Sequence, residues 1–206
     1  MNYASLAFTD SIKALQEEYG SRKSYDRMEK FNVIDGLSEN EIDFIEQRDS
    51  MYIATIGENG YPYIQHRGGP PGFVKVLDNT TLGMVDFAGN KQYISLGNMQ
   101  DCSRVSIIMV SYPQKARLKL YADVRIIQPS DDPELFRRLD PRDYKHRAER
   151  MMIFDIKAFD WNCPQHITPR YTIEEIEHAF APQRDYSRKL EEELHQVKLQ
   201  LQELTP

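Results

Sequence analysis

The segment Gly89-Asn90-Lys91-Gln92 is the first place where residue types and spacing in this chain meet a specific chemistry. A glycine turn that opens a helix leaves backbone N–H groups without intrahelical partners, and an adjacent lysine adds a cation; together they suit a phosphate. A solvated loop explains the same four residues, so other segments must point the same way. Gln65, His66 and Arg67 close a strand just ahead of the Gly- and Pro-rich stretch 68–72. There the irregular backbone lets a ligand approach closely, and the planar fork of Arg67 matches phosphate oxygens. Arg117, Lys119 and Tyr121 share one strand face by the two-residue period, which sets two more cations side by side. An ordinary wet face of a barrel explains that pattern equally well.

Trp161, the sole tryptophan, lies in Phe159-Asp160-Trp161-Asn162-Cys163-Pro164-Gln165-His166, a segment dense in hydrogen-bonding side chains. A lone tryptophan is an anchor of a core or an interface, and the company of Asn162, Gln165 and His166 adds the alternative of a ring flanking an aromatic ligand. His66 and His166 are the histidines nearest the candidate segments, and a histidine can serve as acid, base or electrostatic partner, yet neither has an identifiable triad, so no catalytic residue is assigned. The five histidines form no metal-binding spacing, and Cys102 and Cys163 are too far apart in sequence to suggest a zinc site or a disulfide framework. Any chemistry is expected to need an organic cofactor.

The elements that must hold these residues follow from periodicity. Residues 9–30 read as helix, with Thr9 or Asp10 as cap and a break at Gly20, and a second short helix running to Phe31. Ser38 with Glu41 three residues on is a capping box for a helix to about Arg48. From Met51 the period becomes two. Residues 51–57 and 61–68 around Asn59-Gly60 read as a hairpin with a type I′ turn. Residues 73–77 and 81–87 make a second hairpin, and 104–112, 117–127 and 150–160 have the β-branched and aromatic content of strands, giving about seven in all. A short helix is expected to open near Gly89 to Lys91, and another after a cap at Ser130 or Asp131. Strands joined by brief turns imply a mainly β, antiparallel barrel with flanking helices, not a doubly wound α/β sheet. From Thr172 a further capping box with Glu175 starts a C-terminal helix. Its Leu190, Leu194, Val197, Leu201 and Leu204 alternate at spacings of four and three, a heptad seam that serves either docking on the same chain or a two-chain coiled coil.

Composition bounds the function classes. A length of 206 residues fits one domain with terminal extensions, and a formal net charge of -6 has the wrong sign for bulk nucleic acid or an anionic membrane. No apolar run approaches the roughly 20 residues of a spanning helix, and the start lacks a signal-peptide pattern, so a cytoplasmic location is expected.

In this order the pieces resemble the pyridoxamine 5'-phosphate oxidase-like family of flavin-binding split barrels. The matching parts are the helix from Ser38, the strands around Asn59-Gly60, the strand Thr81–Phe87 running into Gly89-Asn90-Lys91-Gln92, the later strands, and Trp161-Asn162-Cys163-Pro164-Gln165-His166. The resemblance implies an antiparallel six-stranded split β-barrel over residues 38–171, with an N-terminal helical extension at 1–37 and a C-terminal helix at 172–206. It implies flavin mononucleotide (FMN) bound at the interface of a homodimer. Arg67, Gly89, Asn90, Lys91 and Gln92 then look like phosphate contacts, with Gln65 and His66 beside them. Phe73, Val74 and Lys75 resemble the strand whose backbone lines the flavin ring, and Asp86 and Phe87 precede the phosphate turn. Arg117, Trp161 and Asn162, with Gln165 and His166, would approach the flavin from a later strand and the closing segment. The implied activity is an FMN-dependent oxidoreductase taking electrons from a donor such as NAD(P)H. The alternatives are a non-catalytic flavin-binding or sensing module, and the same barrel holding a deazaflavin or haem. The chain departs from the true pyridoxamine 5'-phosphate oxidases in having Asn90-Lys91 where they carry Arg-Lys, so vitamin B6 oxidation is not implied.

Overall fold

A computed structural model describes residues 1–204. Among them the order is α1 (Tyr3–Ala7), α2 (Asp10–Glu18), α3 (Arg22–Phe31), α4 (Glu39–Glu46), β1 (Ser50–Ile56), β2 (Pro62–Gly68), β3 (Lys75–Asp78), β4 (Thr81–Phe87), α5 (Ile94–Asp101), β5 (Arg104–Ser111), β6 (Ala116–Ile127), α6 (Pro133–Leu139), β7 (Ala148–Trp161) and α7 (Ile173–Leu204). They form two compact units: Met1–Ser111 with Lys115–His166, and Tyr112–Gln114 with the residues from Ile167. The first holds the sheet and the four N-terminal helices; the second is essentially α7.

The strands form one seven-stranded sheet in the order β2-β1-β5-β6-β7-β4-β3, with every neighbouring pair antiparallel. β5 and β6 alternate buried and half-buried residues along most of their length, as strands with one face on a core must. Side chains from five strands, Met51 and Ile53 through Met84, Ile107, Leu120 and Phe154, meet in one buried cluster with Phe44, Ile45 and Phe73. A sheet whose strands share a single cluster is coiled around it, and each of these side chains contributes about 1.5–3 kcal/mol by leaving water. β4 and β7 are buried on both faces because α6 covers Val85, Met151 and Ile153 from outside with Leu139. There Gly83 gives α6 room to approach, since a Cβ would stand 2.8 Å from Leu139 Cδ2.

α4 begins at the expected capping box, with the Ser38 backbone N–H and hydroxyl both donating to Glu41 Oε2 at 3.0 and 2.6 Å. The box of Thr172 and Glu175 opens α7 in the same way. The tail helix runs for 32 residues, with Leu190, Leu194, Val197 and Leu201 exposed; the side chain of Leu204 lies outside the described residues.

Several local expectations are corrected. The β1–β2 connection is not a type I′ turn. The N–H of Gly60 donates to Gly57 O, and Gly60 alone takes a left-handed φ of 80° while Asn59 does not, so Glu58 and Asn59 turn and the glycine absorbs the twist. Phe73 and Val74 precede β3, which starts at Lys75. α5 starts at Ile94, not near Gly89 to Lys91, because left-handed Lys91 (59°) and Tyr93 (54°) keep the preceding residues out of the helix. α6 is capped by Asp132, whose carboxylate accepts from the Leu135 N–H, and not by Ser130 or Asp131; Pro133 at the first helical position favours that cap. The short α1, capped by Asn2 through the Ser5 N–H, carried no clear periodicity.

Candidate functional site

At one end of the sheet β2, β4, β7 and the loop into α5 enclose a cleft of about 300 Å³. Gln65, His66 and Arg67 enter from the end of β2, Asp86 and Phe87 from the end of β4, Gly89, Asn90, Lys91 and Tyr93 from the loop, Ser95 from α5, and Glu149 and Arg150 from the start of β7. Eight residues singled out from the sequence thus share one cavity: Gln65, His66, Arg67, Asp86, Phe87, Gly89, Asn90 and Lys91. Gln92 lies just outside, its N–H donating to Asn90 Oδ1 at 3.2 Å and so tightening the loop.

The cleft is organised around Asp86, which is 2% exposed. Its Oδ1 accepts from Arg67 Nη1 and its Oδ2 from Arg150 Nη1, both at 2.6 Å. Arg150 also reaches Glu149 at 2.8 Å, and the Tyr93 hydroxyl donates to Glu149 at 3.3 Å. Ser95 donates to Gln65 Oε1 at 2.5 Å, tying α5 to β2. Arg67, Lys91 and Arg150 against Asp86 and Glu149 leave the lining with a net charge of +1. Arg67 Nε is buried and has no partner. A buried donor left without an acceptor is costly, and this one belongs to a cation on the wall of an electropositive cleft. An acceptor oxygen would satisfy it.

The pair Arg67 and Asp86 also joins strands that share no ladder. β2 and β3 are the two edges of the sheet and β4 is next to β3, so this ion pair joins one edge strand to the neighbour of the other across the gap of the coiled sheet.

The remaining candidates stand elsewhere in the chain. Phe73 and Val74 are core residues, 1% and 0% exposed, and Lys75 is half-buried at the start of β3. Arg117 and Lys119 do share a face of β6, but Arg117 donates to Cys163 O at 2.8 Å and Lys119 pairs with Asp160 at 3.1 Å. Trp161 is tied to α4: its indole N–H donates to Glu41 Oε1 at 2.6 Å and its ring meets Phe44 edge-on at 4.8 Å. Burial pushes the Glu41 carboxyl up, but the donors from Ser38, Trp161 and Asn40 outweigh it and hold the group below the usual carboxylate range. Trp161 and Asn162 line a second cavity of about 730 Å³, walled by Tyr3, Tyr25 and Phe31 of the N-terminal helices. Arg117 Nε and Asn162 Oδ1 are buried without partners. Gln165 and His166 are exposed, with His166 left-handed at 62°. One chain therefore does not bring the 117 and 161–166 group into the cleft of residues 65–67 and 86–91.

Glu149 and Arg150 were not singled out from the sequence. The antiparallel register that sets Arg150 opposite Asp86 joins residues 64 apart and leaves no local pattern, although two adjacent opposite charges at the head of an apolar strand are a usable signal. Tyr93 and Ser95 lie next to residues 89–92 and carry no signal of their own while the helix is expected to start earlier. Among the described residues no group of three or more His, Cys, Asp or Glu side chains is placed to hold a metal ion, and no helix is long and apolar enough to cross a membrane.

A search of curated proteins gives no match. Among solved structures, HupZ of Group A Streptococcus is 13% identical, with 66% of this chain covering 99% of that one at a TM-score of 0.50. An FMN-binding protein from Syntrophomonas wolfei is 13% identical, with 74% of this chain covering 97% of that one at a TM-score of 0.46. The likeness to HupZ is one of fold. Residues 37–162, more than half of the sequence, match the family model for pyridoxamine 5'-phosphate oxidase, and they contain all seven strands; this split-barrel chain belongs to that family.

Proposed function

We propose that the protein is an FMN-dependent oxidoreductase whose cleft at the ends of β2 and β4 binds the FMN phosphate. The observation that carries this reading is Arg67, whose Nη1 is spent on Asp86 while its Nε is buried without an acceptor in a cleft of net positive charge. Lys91, an exposed left-handed loop residue, supplies a second cation, and the first N–H groups of α5 supply neutral donors. Gln65 and His66 border the path from the phosphate toward the ring, and His66 is steadied edge-on by Tyr52 at 5.4 Å.

The flavin, when bound, accepts and passes on a hydride; the chain positions it and tunes its surroundings. The second group of candidates, Arg117, Trp161 and Asn162, completes the site from another copy of the chain in a homodimer. The unpaired Arg117 Nε and Asn162 Oδ1 support that reading, because they are a donor and an acceptor that the single chain leaves unmatched. The family membership and the HupZ-like fold are consistent with it.

The test is an FMN titration of purified apoprotein followed by fluorescence quenching, with the wild type beside Lys91→Ala combined with Arg67→Ala. Two charge-assisted hydrogen bonds at about 1.5–3 kcal/mol each translate into a loss of affinity on the order of 10²–10⁴-fold. Equal affinity in the double variant, or no binding by the wild type, refutes the phosphate site. Anaerobic bleaching of the bound flavin by NADH or NADPH, followed by recovery with an acceptor, tests the oxidoreductase step.

A further inference from the structure

α7 has no partner element within its own compact unit, which besides the helix holds only short connecting segments. A helix alone in water is marginal, and its stability comes from covering an apolar face. Its apolar side chains lie open instead: Ile173 is 71% exposed, Phe180 54% and Leu194 54%. Apart from Leu199 at f and Tyr186 at g, they follow one register. With Leu194 as heptad position a, the a sites are Ile173, Phe180, Ser187, Leu194 and Leu201, and the d sites include Ile176, Gln183, Leu190 and Val197. The seam therefore runs from the first turn of the helix, well upstream of the leucine-rich end, over a length of about 48 Å at 1.5 Å per residue. Pro182 falls at position c, on the outer side of that seam.

We propose that α7 pairs with α7 of a second copy of this chain as a parallel, in-register coiled coil. Charge complementarity selects the partner. In that arrangement each g residue meets the e residue of the following heptad on the other helix. Glu193 then meets Lys198 of the other copy, and the remaining combinations, Thr172 with Glu177, Ala179 with Arg184 and Tyr186 with Glu191, contain no pair of like charges. The two polar seam positions select the direction. In parallel register Ser187 faces Ser187 and Gln183 faces Gln183, so each polar group meets a hydrogen-bonding partner. In an antiparallel pair centred on the helix they would be set against Leu190 and Leu194, leaving an amide and a hydroxyl against hydrocarbon. Polar side chains at the seam fix register and strand direction at a cost in stability.

Disulfide trapping tests this in the full-length chain. Cys102 and Cys163, the two native thiols, are changed to serine, and one cysteine is introduced at a time: Leu194→Cys at a, Val197→Cys at d, and Glu192→Cys at the outward f position. Under mild oxidation the two seam variants are expected to form covalent dimers at least about tenfold faster than Glu192→Cys, since cysteines across a parallel seam lie within bridging distance and f positions do not. Circular dichroism of each variant checks that the helix is retained, and agreement between the two seam sites guards against a local defect in either. Equal rates at all three positions, or no dimer at Leu194→Cys and Val197→Cys, overturns the proposal. The rates are read without FMN, so either outcome leaves the cofactor reading untouched.

Discussion

Replacing Asp86 by Asn keeps the shape of the side chain and removes the charge that two guanidiniums share. Both carboxylate oxygens accept at 2.6 Å, from Arg67 and Arg150, and these cations are themselves largely buried, with side chains 15% and 12% exposed. An asparagine can accept from one of them but must point its NH₂ donors at the other. Breaking a buried pair from one side costs about 3–5 kcal/mol; because Arg150 keeps Glu149, the lower end applies, about 3 kcal/mol. For a domain of this size each kcal/mol lowers Tm by about 2–4 °C, so apo Asp86→Asn should melt about 6–12 °C below apo wild type. The same change raises the net charge of the cleft lining from +1 to +2 and frees Arg67, so added FMN should raise the Tm of the variant by more than it raises that of the wild type. Differential scanning fluorimetry at matched FMN concentrations measures both shifts. An unchanged apo Tm would refute the role of Asp86 as the buried counter-ion, and a smaller FMN shift in the variant would refute the view that Arg67 is divided between Asp86 and a phosphate.

The Glu41 carboxyl is held below its ordinary range in the folded chain, so its contribution to stability is complete above the unfolded value of about 4.3 and is lost as pH falls through the lower folded value. Glu41→Gln should therefore cost roughly 2 kcal/mol at neutral pH and progressively less in acid, with the two urea-midpoint curves converging; a constant gap would refute the assignment. Trp161, the donor to Glu41 and the sole tryptophan, reports that unfolding by fluorescence. Gly83→Ala places a methyl 2.8 Å from Leu139, 3.1 Å from Leu77 and 3.2 Å from Ile153, and should cost about 1–3 kcal/mol in denaturant unfolding; a neutral result would show that α6 moves aside freely.

Local chemistry made much of the fold legible. Ser38 with Glu41 and Thr172 with Glu175 mark their helices because each box satisfies backbone donors within four residues, and the alternation in β5 and β6 follows from one buried face. The meeting of the loop at residues 89–91 with the end of β2 in one cleft was legible because both advertise cations beside irregular backbone. The meeting of Asp86 with Arg150 was not, because it depends on which strands become neighbours, a property of the whole sheet. The same holds for Trp161, whose polar surroundings in sequence suggested a ligand while its own indole N–H is satisfied by Glu41, 120 residues away. The start of α5 was misplaced because a run of polar residues after glycine reads as a helix opening, and only the left-handed Lys91 and Tyr93 reveal a loop.

The ion pair between Arg67 and Asp86 fastens edge strand β2 to β4 where no backbone ladder does. A sheet closed in this way has a zip line: between β2 and β4 a guanidinium and a carboxylate stand where inter-strand amide bonds stand elsewhere. An anion lodged beside Arg67 sits on that line and acts as a staple between β2 and β4. Its arrival would then be felt most by amides of β2 that never touch it, as slower hydrogen exchange along an edge whose own ladder has not changed.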